Sequence, residues 1–270
     1  MTGPLVFAAG GGGPVLPNFG PSNKCEVNNG LFCWGWFKSH WSSTFSPALV
    51  QHLYLVAIAV AVGFVIAFAL ALLAYRVRWL ESPIAGLSSF LYTIPSLALF
   101  QILVPITGLS VLTVEIALVS YTLLLLFRNI VTGLREVPAD VRDAARGMGL
   151  TQRQILLRID LPLAVPAIFA GLRVATVTTI SLATVAAIVG INEGLGVPIY
   201  DAIQRVNFKT EFIAAAILAI LLAWIADLLL VLVQRLVAPW AARRRSSLVP
   251  RAVVRAIRSR PRPISTVRGA

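Results

Sequence analysis

"HLYLVAIAVAVGFVIAFALALLA", residues 52–74, runs for 23 residues without a Lys, Arg, Asp or Glu. The hydrocarbon layer of a bilayer is roughly 30 Å thick and a helix rises about 1.5 Å per residue, so about 20 such residues cross it. Lipid offers the backbone no hydrogen-bond partners, and a crossing segment must close its bonds internally as a helix. This stretch therefore sets the fold class: an all-α polytopic membrane protein.

Working outward, three more runs are long enough to span: 84–106, 163–190 and 212–233. A fifth, 111–127, is shorter and contains Glu115, but either end can be extended. Five transmembrane helices are expected. The composition agrees, with 58% hydrophobic and only 13% charged residues among 270.

The net charge of +12 raises the question of nucleic acid, but the basic residues lie where membrane topology wants them. Of 23 Lys and Arg, 18 fall after span one, between spans three and four, or after span five. The positive-inside rule puts that set in the cytoplasm, with the N-terminus outside and the C-terminus inside. Three segments follow: an extracytoplasmic stretch over 1–48, a transmembrane domain over 49–236 with a cytoplasmic loop at 128–162, and a basic tail over 237–270. No nucleic-acid partner is expected. In the tail, "LVPRAVVRAIRSRPRP" spaces Val249, Val253, Val254 and Ile257 among arginines, which suits either a segment lying on anionic membrane lipids or a solvated tail.

The first 48 residues show no basic region ahead of the short apolar run at 5–9, so span one is expected to act as its own insertion signal. Residues 8–23 read as loop. "LFCWGWFKSHW" (31–41) suits the membrane–water interface, or alternatively a small packed cap. Cys25 and Cys33, the two cysteines of the chain, both precede span one, where an external disulfide can persist. One nearby imidazole, His40, with two thiols is an incomplete metal set, so no metal is expected.

No phosphate-cradling G-x-x-x-x-G-K-[ST], G-x-S-x-G or H-E-x-x-H motif is present. The chain is therefore read as no enzyme, with no cofactor of its own. The loop "RDAARGMGLTQRQILLRIDLP" (142–162) is the exception to the apolar pattern, with four arginines and two aspartates. Pro138 suits a helix start, and Val141, Ala144, Ala145 and Met148 recur at i, i+3, i+4 and i+7. Gly149 is a fitting stop. Thr151 and Gln154 form a capping-box pattern for a second short helix carrying Ile155, Leu156 and Ile159, ahead of Leu161-Pro162 and span four.

Asp143-Ala144-Ala145, three residues, Gly149, nine residues, Ile159, one residue, Leu161-Pro162 resembles the EAA loop of ABC importer permeases, E-A-A-x₃-G-x₉-I-x-L-P, with Asp in place of Glu. "LYTIPSLALF" (91–100), "RN" (128–129), "LPLAVPAIFAGLRVATV" (161–177) and "GLG" (194–196) are similar to the subfamily that imports osmoprotectants such as glycine betaine, choline and carnitine. "VGINEGLG" departs from that subfamily's shorter turn through Asn192 and Glu193. The resemblance implies a plasma- or inner-membrane subunit of a type I importer. Its partners would be a second permease copy or paralogue, an ATPase dimer that holds the ATP, and an external solute-binding protein. It also implies that Ala144, Ala145 and Gly149 allow close approach to the ATPase, and that Arg142, Asp143 and Arg146 pair with charges there. Other solutes of the same class of importer, ergothioneine or an amino acid, stay open. A secondary transporter would need an intramembrane coupling site that is not evident, and a membrane anchor leaves the loop unexplained.

Within the membrane, Arg173 needs a partner, either a carbonyl or Asp227. Thr178, Ser181 and Thr184, repeating every three residues, could line a pathway or serve helix packing. Tyr92 and Ser96 flank Pro95 at i, i+4, and an aromatic face attracts a quaternary ammonium. The topology gives the first prediction. Single reporter cysteines in a background lacking Cys25 and Cys33 are expected to react with an impermeant thiol reagent from outside at Asn29 and Asn207, but not at Thr151 or Ser246. External labelling at Thr151 would overturn the orientation.

Overall fold

The computed structural model describes residues 25, 28–204 and 208–240. The tail reading over 241–270, the loop over 8–23 and the positions of Lys24 and Arg205 lie outside the described residues. The elements are α1 (Trp34–His40), α2 (Ser46–Arg76), α3 (Glu81–Thr93), α4 (Ser96–Thr107), α5 (Val111–Arg135), α6 (Ala139–Gly147), α7 (Gln152–Ile155), α8 (Leu161–Ala183), α9 (Gly196–Gln204) and α10 (Lys209–Val237). A π-helical turn over Trp41–Phe45 joins α1 to α2, so the first apolar helix is continuous from Trp34 to Arg76. Helix therefore passes through the boundary expected at residue 48.

Four helices are long and apolar enough to cross a membrane, and α3 with α4 makes a further pair bent by 96°. Ile94 and Pro95 are both extended, with ψ of 126° and 136°, because proline clashes with a helical residue before it and has no N–H to continue the ladder. The contacts of this pair follow α5 in order from end to end. Glu81 pairs with Arg135, Arg128 donates to Ser89 Oγ at 2.9 Å, Tyr121 donates to the Ile94 carbonyl, and Thr107 and Thr113 hydroxyls meet at 2.6 Å. A re-entrant loop would return to its starting end; this pair ends at the opposite one. It is a broken span, which brings the number of spans to five.

Close packing comes from small residues. Ala59, Gly63, Ala67 and Ala71 recur every fourth position on α2 and are buried against α5. A Cβ on Gly63 would lie 2.0 Å from Thr122 Oγ1, so α2 and α5 meet there backbone to side chain. Gly133 on α5 leaves room for Ala164 and Ala167 of α8, and Gly171 on α8 leaves room for Asn129 of α5. Outward faces are apolar: on α10, Trp224 is 77% and Leu236 81% exposed, as a lipid-facing helix requires.

Several polar groups between the helices are matched. Arg173 of α8 makes a two-point contact with Asp227 of α10, Nε to Oδ1 at 2.6 Å and Nη2 to Oδ2 at 2.8 Å. Twelve residues past Leu161, Arg173 lies about 18 Å along α8, near mid-membrane, where an unpaired charge would be costly. His52, fully buried on α2, accepts the Leu195 N–H at Nδ1 (3.3 Å), so Nε2 carries the proton donated to the Ile180 carbonyl (3.1 Å). At the same end Cys25 and Cys33 are joined as a disulfide, Cys33 N–H donates to Thr210, and Asn29 caps the first N–H of α10 at Lys209. Trp36, Phe37, Phe45 and Phe208 pack there into a cap, while Trp34 is exposed. The aromatic segment thus has one packed face and one open face.

The Gly63 contact is a direct test of this packing. Gly63→Ala is expected to destabilise the subunit by about 1–3 kcal/mol through overpacking, read as a lower thermal midpoint in detergent. Adding Thr122→Ala, which removes Oγ1, should recover part of the loss. A midpoint unchanged by Gly63→Ala would mean that α2 and α5 are not held this closely.

Candidate coupling interface

Helix α6 projects from the end of the bundle where α2 and α5 finish. Pro138, extended at ψ 139°, precedes its first residue Ala139, and Asp140 in the first turn and Arg146 in the last complement the helix dipole. The helix ends in a Schellman arrangement: Leu150 N–H donates to the Ala145 carbonyl at 3.1 Å and Gly149 N–H to Arg146 at 2.9 Å. Gly149 has φ +82°, the left-handed conformation that glycine adopts without strain. The capping box on α7 is formed in both directions, Thr151 N–H to Gln154 Oε1 at 2.8 Å and Gln154 N–H to Thr151 Oγ1. The second short helix does not stop before span four, however. A π-helical turn over Leu156–Asp160 carries it into α8, so Gln152–Val189 is one helical segment. The wider turn accommodates Pro162, which has no N–H for the regular ladder.

The helix divides its residues between two sides. Ala145 is fully buried, whereas Val141 is 40% and Met148 73% exposed, with Ala144 also open. Asp143 and Arg146 pair with each other at 3.0 Å on the exposed side. Ile159, Leu161 and Pro162 are half-buried where the π turn enters α8. A groove of about 640 Å³ opens beside α6, lined by Gly133, Val137, Val141, Leu163, Ala167 and Trp240.

Arg142 is turned inward. Its Nε donates to Asp160 Oδ1 at 3.0 Å and its Nη2 to the Leu134 carbonyl at 2.6 Å, while Tyr75 donates to Asp160 Oδ2 at 2.6 Å. The expectation that Arg142 meets charges on a partner therefore differs from its placement, because a buried carboxylate within the chain occupies its guanidinium. Sequence reasoning passed over Asp160 and Tyr75. The available signal was an acidic residue directly before Leu161-Pro162, but its partner is eighteen positions away.

The pathway candidates are spread over α3, α4 and α8. Tyr92 is 38% exposed and stacks edge-on against Tyr121 of α5 at 5.9 Å. Ser96 belongs to the next helix, so the 96° break removes the shared i, i+4 face expected for the two. Thr178 is half-buried and Ser181 exposed on α8, while Thr184 falls in the 3₁₀ turn beyond it. Glu115, absent from the candidates, turns both carboxylate oxygens inward with no hydrogen-bond partner among the described residues.

Five spans interrupted by a polar, exposed helix–turn–helix at one end describe a polytopic membrane protein with a built extramembrane element. Residues 59–243 match the family of binding-protein-dependent transport system inner membrane components, and the chain belongs to that family. It is thus a permease subunit of an ABC importer. The osmoprotectant import permease protein OsmW of Salmonella typhimurium is 38% identical over 194 residues, covering 70% of this chain and 89% of that one. The glycine betaine/carnitine/choline transport system permease protein OpuCB of Bacillus subtilis is 31% identical over 190 residues, covering 70% and 86%. Among solved structures, an inward-facing MetNI methionine ABC transporter matches with a TM-score of 0.63 at 20% identity, covering 70% of this chain and 94% of that one.

Two glycines of the interface separate backbone strain from crowding, since a Cβ at either meets nothing within 4 Å. Gly147→Ala, in the helix, is expected to stabilise α6 by about 0.5–1 kcal/mol, and Gly149→Ala to destabilise its end by about 1–2 kcal/mol. Amide exchange over 139–150 should slow in the first and accelerate in the second. The same response in both would remove the left-handed requirement at Gly149.

Proposed function

We propose that this permease imports quaternary-ammonium osmoprotectants such as glycine betaine, carnitine or choline, driven by ATP held on a separate ATPase pair that docks on α6. The observation that carries the docking role is the exposed side of α6. Ala144 and Met148 are exposed, Val141 stands on the rim of the groove, and the Asp143–Arg146 pair is exposed too, on a helix closed by a left-handed glycine. An apolar strip outside the membrane span is stabilised when a partner covers it. Asp143 and Arg146 remain available to pair with charges on the ATPase, while Gly149 keeps the turn free of a side chain.

The orientation, N-terminus outside and α6 in the cytoplasm, is supported by two features at opposite ends. Arg76, Arg78 and Arg135 gather at the α6 end, and the Cys25–Cys33 disulfide is at the other, where an oxidising compartment preserves it. A solute-binding protein would then deliver to the disulfide end, and a second permease, identical or paralogous, would complete the pathway. Closure of the ATPase pair on ATP would move α6 and switch access from one side to the other.

Substrate class is supported by the relatives, which are osmoprotectant and glycine betaine/carnitine/choline permeases. A further relative, the ergothioneine transport permease/ergothioneine binding protein EgtU of Helicobacter pylori, is 36% identical over 139 residues, covering 52% of this chain and 25% of that one. Ergothioneine also carries a trimethylammonium group, so it is the second reading. Tyr92, exposed at the break of the bent span, offers an aromatic face to such a cation. Titration of the cognate solute-binding protein with glycine betaine, choline, carnitine and ergothioneine distinguishes them; binding of an uncharged amino acid alone would sink the class.

The docking role is tested with Gly149→Asp, which adds backbone strain and bulk at the turn and leaves the spans intact. Membrane insertion and solute capture by the binding protein are expected to be normal. Recovery of the ATPase with purified permease should fall at least tenfold, and solute-stimulated ATP turnover in liposomes should be lost. Asp143→Ala should be milder, a few-fold. Full association and turnover in Gly149→Asp would show that α6 does not dock the ATPase.

A further inference from the structure

Arg142 is on the helix assigned to docking, yet its side chain is only 20% exposed and is directed into the bundle. It reaches three spans at once. Asp160, whose side chain is 1% exposed, belongs to the turn that becomes α8. Leu134 is in the last turn of α5, where carbonyls have no helical partner, so Arg142 also caps that helix. Tyr75, one residue from the end of α2, holds the second oxygen of Asp160, and its ring lies 5.7 Å from the guanidinium carbon. One planar fork thus ties α6 to the ends of α2, α5 and α8.

The covalent tethers of α6 are short and bendable by comparison. Residues 136–138 connect it to α5, and 148–151, including the left-handed Gly149, connect it to α7. Buried Val137 and Ala145 hold one side of the helix by apolar contact, which is not directional. A helix held only in this way could swing on its tethers when pulled from outside. The fork is directional, and its carboxylate is enclosed, so separating the two charges is strongly opposed.

We propose that Arg142 and Asp160 are a positioning pair that transmits force. They make α6 and the ends of α2, α5 and α8 one rigid body, so that a displacement of α6 by the ATPase becomes a displacement of the spans. The pair contributes coupling rather than docking. Arginine is required because a lysine ammonium cannot bridge a carboxylate and a carbonyl in one plane. This rests on the reading of α6 as the docking helix, and the two fail differently: loss of that reading appears as retained ATPase association in Gly149→Asp, loss of this one as an unchanged coupling ratio below.

The experiment measures solute transported per ATP hydrolysed in proteoliposomes containing permease, ATPase and binding protein, together with ATPase recovery on the purified permease. Arg142→Lys keeps the charge and loses the fork. Because Arg142→Ala alone would strand a buried carboxylate and could prevent folding, the second variant is Arg142→Met with Asp160→Leu, which removes both charges together. Both are expected to recover ATPase within twofold of the unaltered subunit, and to transport at least tenfold less solute per ATP, with the double variant the more severe. A purely structural role would lower transport and hydrolysis in proportion and leave the ratio unchanged, which overturns the proposal. Loss of ATPase association in either variant, comparable to Gly149→Asp, also overturns it by assigning the pair to docking.

Discussion

Every backbone carbonyl and N–H inside a bilayer needs a partner from the protein, and this requirement governs where the chain can break its helices. At several interruptions among the described residues a side chain replaces the missing backbone group. Tyr121 donates to Ile94 at the bend of the broken span, and His52 serves Ile180 near the end of α8 and Leu195 in the following turn. Gln51 receives the Gly194 N–H, and Arg142 caps Leu134 at the end of α5. Each replacement comes from a helix other than the element it serves. The same bonds that satisfy the backbone therefore also set how the helices pack.

Small residues make those replacements possible by letting backbones approach. A Cβ at Gly194 would meet His52 Nδ1 at 2.8 Å, and one at Gly196 would meet the Thr184 carbonyl oxygen at 2.2 Å. The GLG stretch at 194–196 is thus a packing surface for α2 and for the end of α8. Asn192 and Glu193 precede it in the same turn and leave those two contacts in place.

The α6 interface joins an exposed strip to a fixed base. Ala144 and Met148 are presented outward, with Val141 on the rim of the groove, while Ala145 and Arg142 are directed into the bundle. An element on rigid supports passes on a displacement that a loose loop would absorb. The split explains why one short helix combines conspicuously small and apolar residues with arginines: one face packs on the bundle and the other is exposed.

The spans were legible in the sequence because hydrocarbon thickness imposes a length and an apolar composition that any crossing helix must show. The α6 loop was legible through local rules, since a capping box and a C-terminal glycine act within a few residues, and Gly149 is left-handed where the helix ends. The need of Arg173 for a partner was legible too, but the choice of Asp227 over a carbonyl was made by the packing of α10 on α8. Tertiary structure alone decided the 96° break that parts Tyr92 from Ser96, the fusion of the second short helix with α8, and the inward turn of Arg142 toward Asp160 and Tyr75. The physical reason is reach. Hydropathy and capping are properties of neighbouring residues, whereas a buried charge or an unpaired carbonyl is satisfied by whatever group the packed helices bring within about 3 Å, however distant in the chain.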